Sequence, residues 1–493
     1  MSYRELHNRL NGRLTAGLTS HSYEDAKSQY GSNHWSVTEN NRNNARNVNF
    51  NNGNTNNNNK YNSNVVRPVA ALGDAVPTPF QIFLASVWDA YHDCLRGKMT
   101  SAQAVEYMVI AAHDIPCLAL ELWTGTYQPG VSTCFLVRYP KWREVFAANF
   151  RDRIVHHWIC IRLEPLFEYR FREQGNVSFN CRKGYGTEKA VEHVAEAMRR
   201  ISCNYHKPAW VFRGDMVGFF MSINKDLLWY LLRRFMLRWQ FRERHFGWVR
   251  YGLPDQPDMH WGILFRVTRI IVMHHPEQNC VLNSPRHLWS NLARNKSLFT
   301  SPTGEPIGNL TTQLFANFLM SFFVSYVQFV FRGKNFSMAQ FVDDFVLICD
   351  DLRFLVDSIP RLEAFLRDKL LLMLHKDKRY LQPVSHGVMF VGTMIKPARL
   401  YLSNRTVSRM TEKCNGFRDY LNGVGGNDTP DLIALEHIEQ VVNSYLGFTR
   451  RRQTYNLRTS VIESMGGAFW RYFTMKGRYE SIRLRRRYRM IHV

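Results

Sequence analysis

Acidic residues are scarce in this chain: 41 Asp and Glu stand against 64 Lys and Arg over 493 residues, for a formal net charge of +23. A deficit of that size argues against a cationic ligand and for a polyanion, whose phosphates Lys and Arg would neutralise in strongly salt-dependent binding. Paired cysteines are also missing. The nine cysteines are scattered with no Cys-x-x-Cys among them, which excludes a zinc ribbon and a disulfide framework and fits a reducing cytoplasm. His274, His275 and Cys280 sit close together, but they make an incomplete ligand set. The first residues, Met1-Ser-Tyr-Arg-Glu-Leu-His7, have no basic-then-apolar leader. The most apolar run, 318–331, reads as too short and too polar to span a bilayer, so no membrane partner is expected. Apolar side chains are few between residues 33 and 64, where 16 of 32 residues are Asn and Lys60 is the sole Lys. As polypeptide such a tract cannot bury enough surface to fold, and it reads as a disordered or low-complexity segment.

What is present is organised around Gln340-Phe-Val-Asp343-Asp344-Phe-Val-Leu-Ile348. Two adjacent aspartates lie between β-branched and aromatic runs, with no Gly or Pro to open a long loop. This predicts a tight hairpin with strands over 337–342 and 345–349 and the charge at its turn. Side-by-side carboxylates repel unless a cation compensates them, and Mg²⁺ suits them because it accepts carboxylate oxygens while leaving room for substrate phosphates. An acidic turn in water is the bland alternative. A second short apolar run, Ala209-Trp-Val-Phe-Arg-Gly-Asp215, ends on a third carboxylate. A strand bringing one Asp beside a hairpin bringing two makes a site for a pair of divalent ions, which clamp the attacking and leaving oxygens of an in-line phosphoryl transfer.

These words resemble those of reverse transcriptases: Phe341-Val-Asp343-Asp344 is similar to their aromatic-x-Asp-Asp box, and Asp215 with Phe220 to their first palm motif. The resemblance implies an α+β fold, the right-hand polymerase of fingers, palm and thumb, acting as an RNA-directed DNA polymerase. Fingers are expected over 78–208, palm over 209–400 with an insertion at 240–300, a helical thumb over 401–475 and a basic tail over 476–493. By the same resemblance Asp215, Asp343 and Asp344 with the Met216 carbonyl would hold two Mg²⁺ ions, for which Mn²⁺ could substitute. Asp344 would act at longer range, and Lys378 would protonate departing pyrophosphate.

The fingers words Pro140-Lys141-Trp-Arg143 and Arg151-Asp-Arg-Ile-Val-His156-His157 lie on two strands, joined at Pro140-Lys-Trp, and on a helix from Phe150 that should stop before Pro165. Arg143 and Lys141 would hold the dNTP, Phe220 would lie under its sugar, and Ile307, Gly308 and Gln313 would line its pocket. Asn180-Cys-Arg182-Lys183-Gly-Tyr-Gly186-Thr and the Gly392 turn would meet template and primer. So would Arg485, Arg486 and Arg487, in a tail mixing bases with apolar and aromatic residues. Solvated basic faces are the alternative for each of these.

Two features narrow the subclass. Pro306-Ile307-Gly308-Asn309-Leu-Thr-Thr-Gln313 resembles the corresponding word of diversity-generating retroelement enzymes, where retroviral enzymes carry Pro-Gln-Gly. Residues 31–39, the Asn tract and Val66-Arg-Pro-Val-Ala-Ala-Leu72 look like the end of the variable proteins those elements diversify. Asn codons randomised at adenine never become stops, so residues 31–72 are suspected to double as the template repeat. The expected partners are template RNA, cDNA, dNTP and an oligomer of a small basic helical accessory protein. An antiphage or group II intron-like enzyme is the alternative within the family, and the absence of a maturase region argues against the intron type. A non-catalytic RNA-binding subunit is the alternative outside it.

Overall fold

The structure, a computed structural model, describes residues 33–39, 44–49 and 55–59 and residues 77–489 apart from 139–140, 254–255, 294–295, 302 and 425–429. The short helix expected near 3–18 lies outside the described residues, as does the segment 60–76.

In the Asn-rich tract, strands β1 (Asn33–Glu39), β2 (Asn44–Asn49) and β3 (Thr55–Asn59) pair antiparallel in that order. Asn44 stands opposite Asn59 and Asn47 opposite Asn56. Disorder was the expectation. Ladder pairing uses backbone N–H and C=O groups, which Asn supplies as any non-proline residue does.

The chain divides into two compact units. The first takes in the N-terminal part to Gly130, Ala148–Arg162 and Asp255–Ile271. Its helices include α1 (Pro79–Leu95), opened by a Thr78/Gln81 capping box, and α2 (Ala102–Thr124). The first half of α3 (Phe150–Glu173) completes its core. Buried Phe83 packs edge-on against Trp158, 5.5 Å between ring centres. Arg151 ties α2 down by bonds of 2.9 Å to Asp114 and 2.8 Å to Glu121. Helix α3 passes through Pro165 instead of stopping before it. Leu163, Leu166, Phe167 and Phe171 are all buried, and at about 1.5–3 kcal/mol for each large apolar side chain their burial outweighs the roughly 3 kcal/mol cost of an internal proline.

The second unit contains the rest, including β4 (Ser132–Val137), β5 (Arg143–Ala147), α4 (Thr187–Ile201), β6 (Trp210–Asp215), α5 (Lys225–Phe246) and β7 (Cys280–Leu282). Then follow α6 (Leu310–Val330), β8 (Phe336–Phe341), β9 (Asp344–Cys349), α7 (Leu352–Lys369) and β10 (Tyr380–Pro383). Its central sheet has the order β10-β6-β9-β8, with each neighbouring pair antiparallel. One face is covered by α4, whose Val191, Val194 and Met198 join Val211, Val346 and Ile348 in a buried cluster. Strand alternation sends Phe345 to the other face, where Phe323 of α6 meets it at 4.9 Å. By length and composition α6 could cross a membrane, which corrects the reading of 318–331 as too short. Two thirds of its apolar window (67%) is buried inside the fold, as in a core helix.

A smaller sheet, β5-β4-β7, pairs β4 antiparallel to β5 and parallel to β7, so the segment expected as an insertion adds a strand here. After β10 come a meander of β11 (Val388–Phe390), β12 (Thr393–Lys396) and β13 (Arg399–Leu402), then helices α8 (Asn404–Gly423) and α9 (Leu432–Thr449) and two shorter ones. The tail is not a free basic extension. Strands β14 (Phe473–Lys476) and β15 (Ser481–Leu484) form a hairpin, and Asn443 of α9 exchanges hydrogen bonds with the Ile482 backbone at 3.0 and 2.7 Å.

Candidate active site

The site is built at the end of the central sheet where β6 stops and the β8–β9 hairpin turns. Register sets Asp215 directly opposite Asp344, and Phe341 opposite Asp344 on the other side. The turn itself is Val342-Asp343, two residues as expected but one position earlier, because pairing begins at Asp344. Val342 has φ 58°, a left-handed conformation that a β-branched residue rarely adopts. Gln340, fully buried, steadies the turn by donating from Nε2 to the Val342 carbonyl at 2.8 Å. The Gln340 backbone is in turn held by Val177 and Phe179 at 2.8 and 3.0 Å.

The three aspartates have different surroundings. Asp344 accepts a two-pronged pair from Arg213, Nε at 2.9 Å and Nη2 at 2.8 Å. Burial raises its pKa and Arg213 opposes that rise. Asp215 accepts from Lys378 Nζ at 2.8 Å. Asp343 has no ion-pair partner among the described residues. Burial and then the neighbouring Asp215 push it well above the usual carboxylate range, with Arg143 pulling weakly the other way. Negative charge at Asp343 is thus under-compensated, the condition a bound cation relieves. Among the described residues no three His, Cys, Asp or Glu side chains form a metal-binding group. Arg213 engages Asp344 in this structure, as Lys378 engages Asp215. Asp215 and Asp343, with Asp344 opposite Asp215 in the sheet, fit Mg²⁺, which is commonly bound by one or two carboxylates with water and substrate phosphates completing its shell. The backbone bonds that stitch β6 to the segment before Lys378 run through Val217 N–H and the Asp215 carbonyl, at 2.8 Å each. Met216 between them is buried.

Cations gather near these carboxylates. Lys141 is lowered first by burial and then by Lys378, Lys296 and Arg405, while Asp215 acts in the opposite sense. A cavity of about 400 Å³ is lined by Arg138, Lys141, Trp142, Asn291, Lys296 and Arg405. Arg143 stands exposed at the start of β5. Lys296 and Arg405 were missed in the sequence, where a single basic residue in a basic chain carries no signal.

The loop 304–308 is clamped from both sides. Gly304 donates to the Ile223 carbonyl and Glu305 to the Phe220 carbonyl, while the Ile307 carbonyl accepts from Phe146 N–H at 2.7 Å. A Cβ on Gly308, at φ 126°, would stand 2.5 Å from the Phe146 oxygen. Phe220 and Ile307 consequently pack on one small cluster with Cys134, Phe146, Met221 and Leu298. Behind the loop lies a group the sequence reading missed: Glu305 is fully enclosed, raised by burial and opposed by Lys225. Gln313, on the first turn of α6, meets the Cys181 thiol at 3.0 Å and so joins the loop of residues 179–187.

The expected template residues are less uniform. Arg182 is turned inward, bidentate to Glu168 at 2.8 and 2.7 Å and bonded to Asn176 and Ser178, so its guanidinium braces the loop and does not face a template. Lys183 is exposed, with Glu164 at 3.1 Å. Gly186, with φ 143°, opens α4. Gly392, at φ 80°, makes the β11–β12 turn. Arg485 and Arg487 donate to the backbone carbonyls of Trp470 and Arg471, and Arg486 is exposed. His156 is buried, His157 bonds Asp93 at 2.7 Å and His275 bonds Glu277 at 2.7 Å; none forms a metal group.

No family model matches this chain. It is similar to protein YkfC of Escherichia coli (strain K12), with 23% identity over 329 residues covering 62% of this chain and 78% of that one. Among solved structures it is similar to telomerase from Candida albicans in complex with a TWJ fragment of telomeric RNA, at TM-score 0.40 and 13% identity over 68% of this chain and 56% of that chain. It is also similar to apo telomerase from Candida tropicalis, at TM-score 0.41 and 12% identity over 69% of this chain and 58% of that chain. The chain spans a little over half the length of these telomerases.

Proposed function

We propose that the chain is an RNA-directed DNA polymerase that extends a primer along a template RNA. The observation that carries this reading is the meeting of Asp215 and Asp343 at one sheet end with Lys378 and, nearby, Lys141 and Arg143. Two bound Mg²⁺ ions, held by Asp215 and Asp343, would supply the charge that lowers the pKa of the primer 3′-hydroxyl and stabilises the leaving oxygen. The chain's own residues do the rest. Lys141 and Arg143 receive the triphosphate, Phe220 and Ile307 shape the pocket for sugar and base, and Lys378 gives a proton to pyrophosphate as it departs. Lys378 Nζ lies 2.8 Å from Asp215 at the carboxylate end of the sheet, which supports this role.

Within this reading, the Asn tract and the Ile307-Gly308-Asn309 word favour a diversity-generating element copying its template with errors at adenine. The accessory-protein partner belongs to the same proposal. The test is primer extension with RNA template, dNTPs and Mg²⁺. Asp343→Asn keeps the shape and removes one ligand charge, so extension should fall by orders of magnitude while RNA binding, carried by Lys and Arg, persists. Equal extension by the variant would remove the catalytic assignment.

A further inference from the structure

Helix α5 buries Leu228, Leu232, Met236 and Trp239 and leaves its opposite face open. That face follows helical spacing and carries exposed rings, Tyr230 at 51% and Phe241 at 55% exposed; Phe246, where the helix ends and outside that spacing, is 46% exposed. Apolar side chains this open normally occur singly. Here each ring has an arginine or histidine side chain four residues later. Arg234 lies over Tyr230 at 5.5 Å and donates to its hydroxyl at 2.8 Å. His245 stacks on Phe241 at 4.0 Å between ring centres. Arg250 lies over Phe246 at 4.9 Å. Arg233 and Arg238 are exposed on the same stripe, and among the described residues neither has an ion-pair partner. No carboxylate is exposed on it beyond Asp226 in the first turn.

We infer that this stripe binds single-stranded RNA outside the catalytic cleft, with phosphates on the guanidinium groups and unpaired bases on the rings. Charge complementarity selects a polyanion. The interleaving of ring and cation selects unpaired bases over duplex, whose bases are hidden from such a face, since bases stack on aromatic side chains and arginine planes while their phosphates track the charge. An anionic membrane surface would instead call for apolar residues gathered on one side with bases flanking them. A 22-residue helix extends about 33 Å, enough to engage several nucleotides at once. This surface does not rest on the polymerase reading, and its test needs no catalysis.

The experiment is binding of the full chain to an unstructured, fluorescently labelled 20-nucleotide RNA across a salt series. Arg233→Gln/Arg234→Gln/Arg238→Gln should reduce the slope of log affinity against log salt by about 2, at roughly 0.7 per phosphate contact on a single strand. Tyr230→Ala/Phe241→Ala should weaken binding about tenfold or more with the slope unchanged. All five positions are on the open face, so melting temperatures should match the parent. In the parent protein, ultraviolet cross-linking should place RNA on the tryptic peptides 226–233 and 239–242, a readout that needs no variant. Absence of cross-links there overturns the proposal. So does unchanged RNA affinity in the ring variant, including the case where that variant loses only binding to anionic lipid vesicles.

Discussion

The Arg213–Asp344 pair decides how many carboxylates the site can offer, and a double-mutant cycle measures it. The two side chains are 22% and 15% exposed and joined by two charge-assisted bonds. Arg213→Ala leaves the Asp344 carboxylate inside the sheet beside two others, and breaking one partner of a buried pair costs about 3–5 kcal/mol. Partial exposure places the expectation at the lower end, about 3 kcal/mol. Arg213→Ala with Asp344→Asn removes both charges and should recover about 2 kcal/mol of that loss, which appears as coupling energy. The assay is urea unfolding of the four proteins in EDTA, so that no divalent ion replaces the guanidinium, with midpoints compared at a common slope. A coupling energy below about 0.5 kcal/mol, the range of independent sites, refutes the reasoning that Arg213 compensates Asp344. A second readout follows from freeing that carboxylate: Arg213→Ala should lower the Mg²⁺ concentration needed for half-maximal extension.

Gly308→Ala puts a methyl against the Phe146 oxygen and should pull the loop from β5, so that dNTP titration gives an extension efficiency at least about tenfold lower, a loss of about 1.4 kcal/mol; parental efficiency would show that the loop is not held by this contact. Glu305, pushed up to about 8 by burial, keeps a proton in the folded state that the unfolded chain loses near pH 4.5. Its contribution to stability is therefore full below pH 4.5 and is lost as pH rises toward 8, so thermal unfolding of Glu305→Gln should fall less across that window than the parent's; parallel curves would remove Glu305 from the pH dependence. Ile307→Gln introduces a group that can bond a correctly seated nucleotide and should lower misincorporation opposite template adenine more than opposite other bases, read by sequencing the cDNA; an unchanged error spectrum removes Ile307 from fidelity.

The hairpin and the strand leading to Asp215 were legible because their signal is local: apolar alternation next to an unexplained carboxylate. The packing of Phe220 and Ile307 on one cluster was not legible, because the two lie far apart in the chain. Other roles depend on partners far along the chain. Gln340 looks like any polar strand residue until Val177 and Phe179 are found beside it. Arg182 in a glycine-rich loop reads as a phosphate binder, and only the approach of Glu168 from α3 turns it inward. Asp344 resembles its neighbour Asp343 in sequence, and a guanidinium two residues before Asp215 separates their environments. In the tail charge dominates the composition, and the inward alternation of Ile482 and Leu484 is what decides its fold.

Val342 has an implication for anyone evolving this protein. A left-handed conformation costs an L-residue about 1–2 kcal/mol, and glycine would adopt it freely. Stability screens should therefore find Val342→Gly early, and it should melt higher than the parent. Yet the relaxed turn would let the neighbouring carboxylate wander, since its position is fixed by a backbone with little freedom to move. Selection for heat resistance and selection for turnover should diverge at this codon, and a library scored on both would place it among the positions where the two rankings conflict.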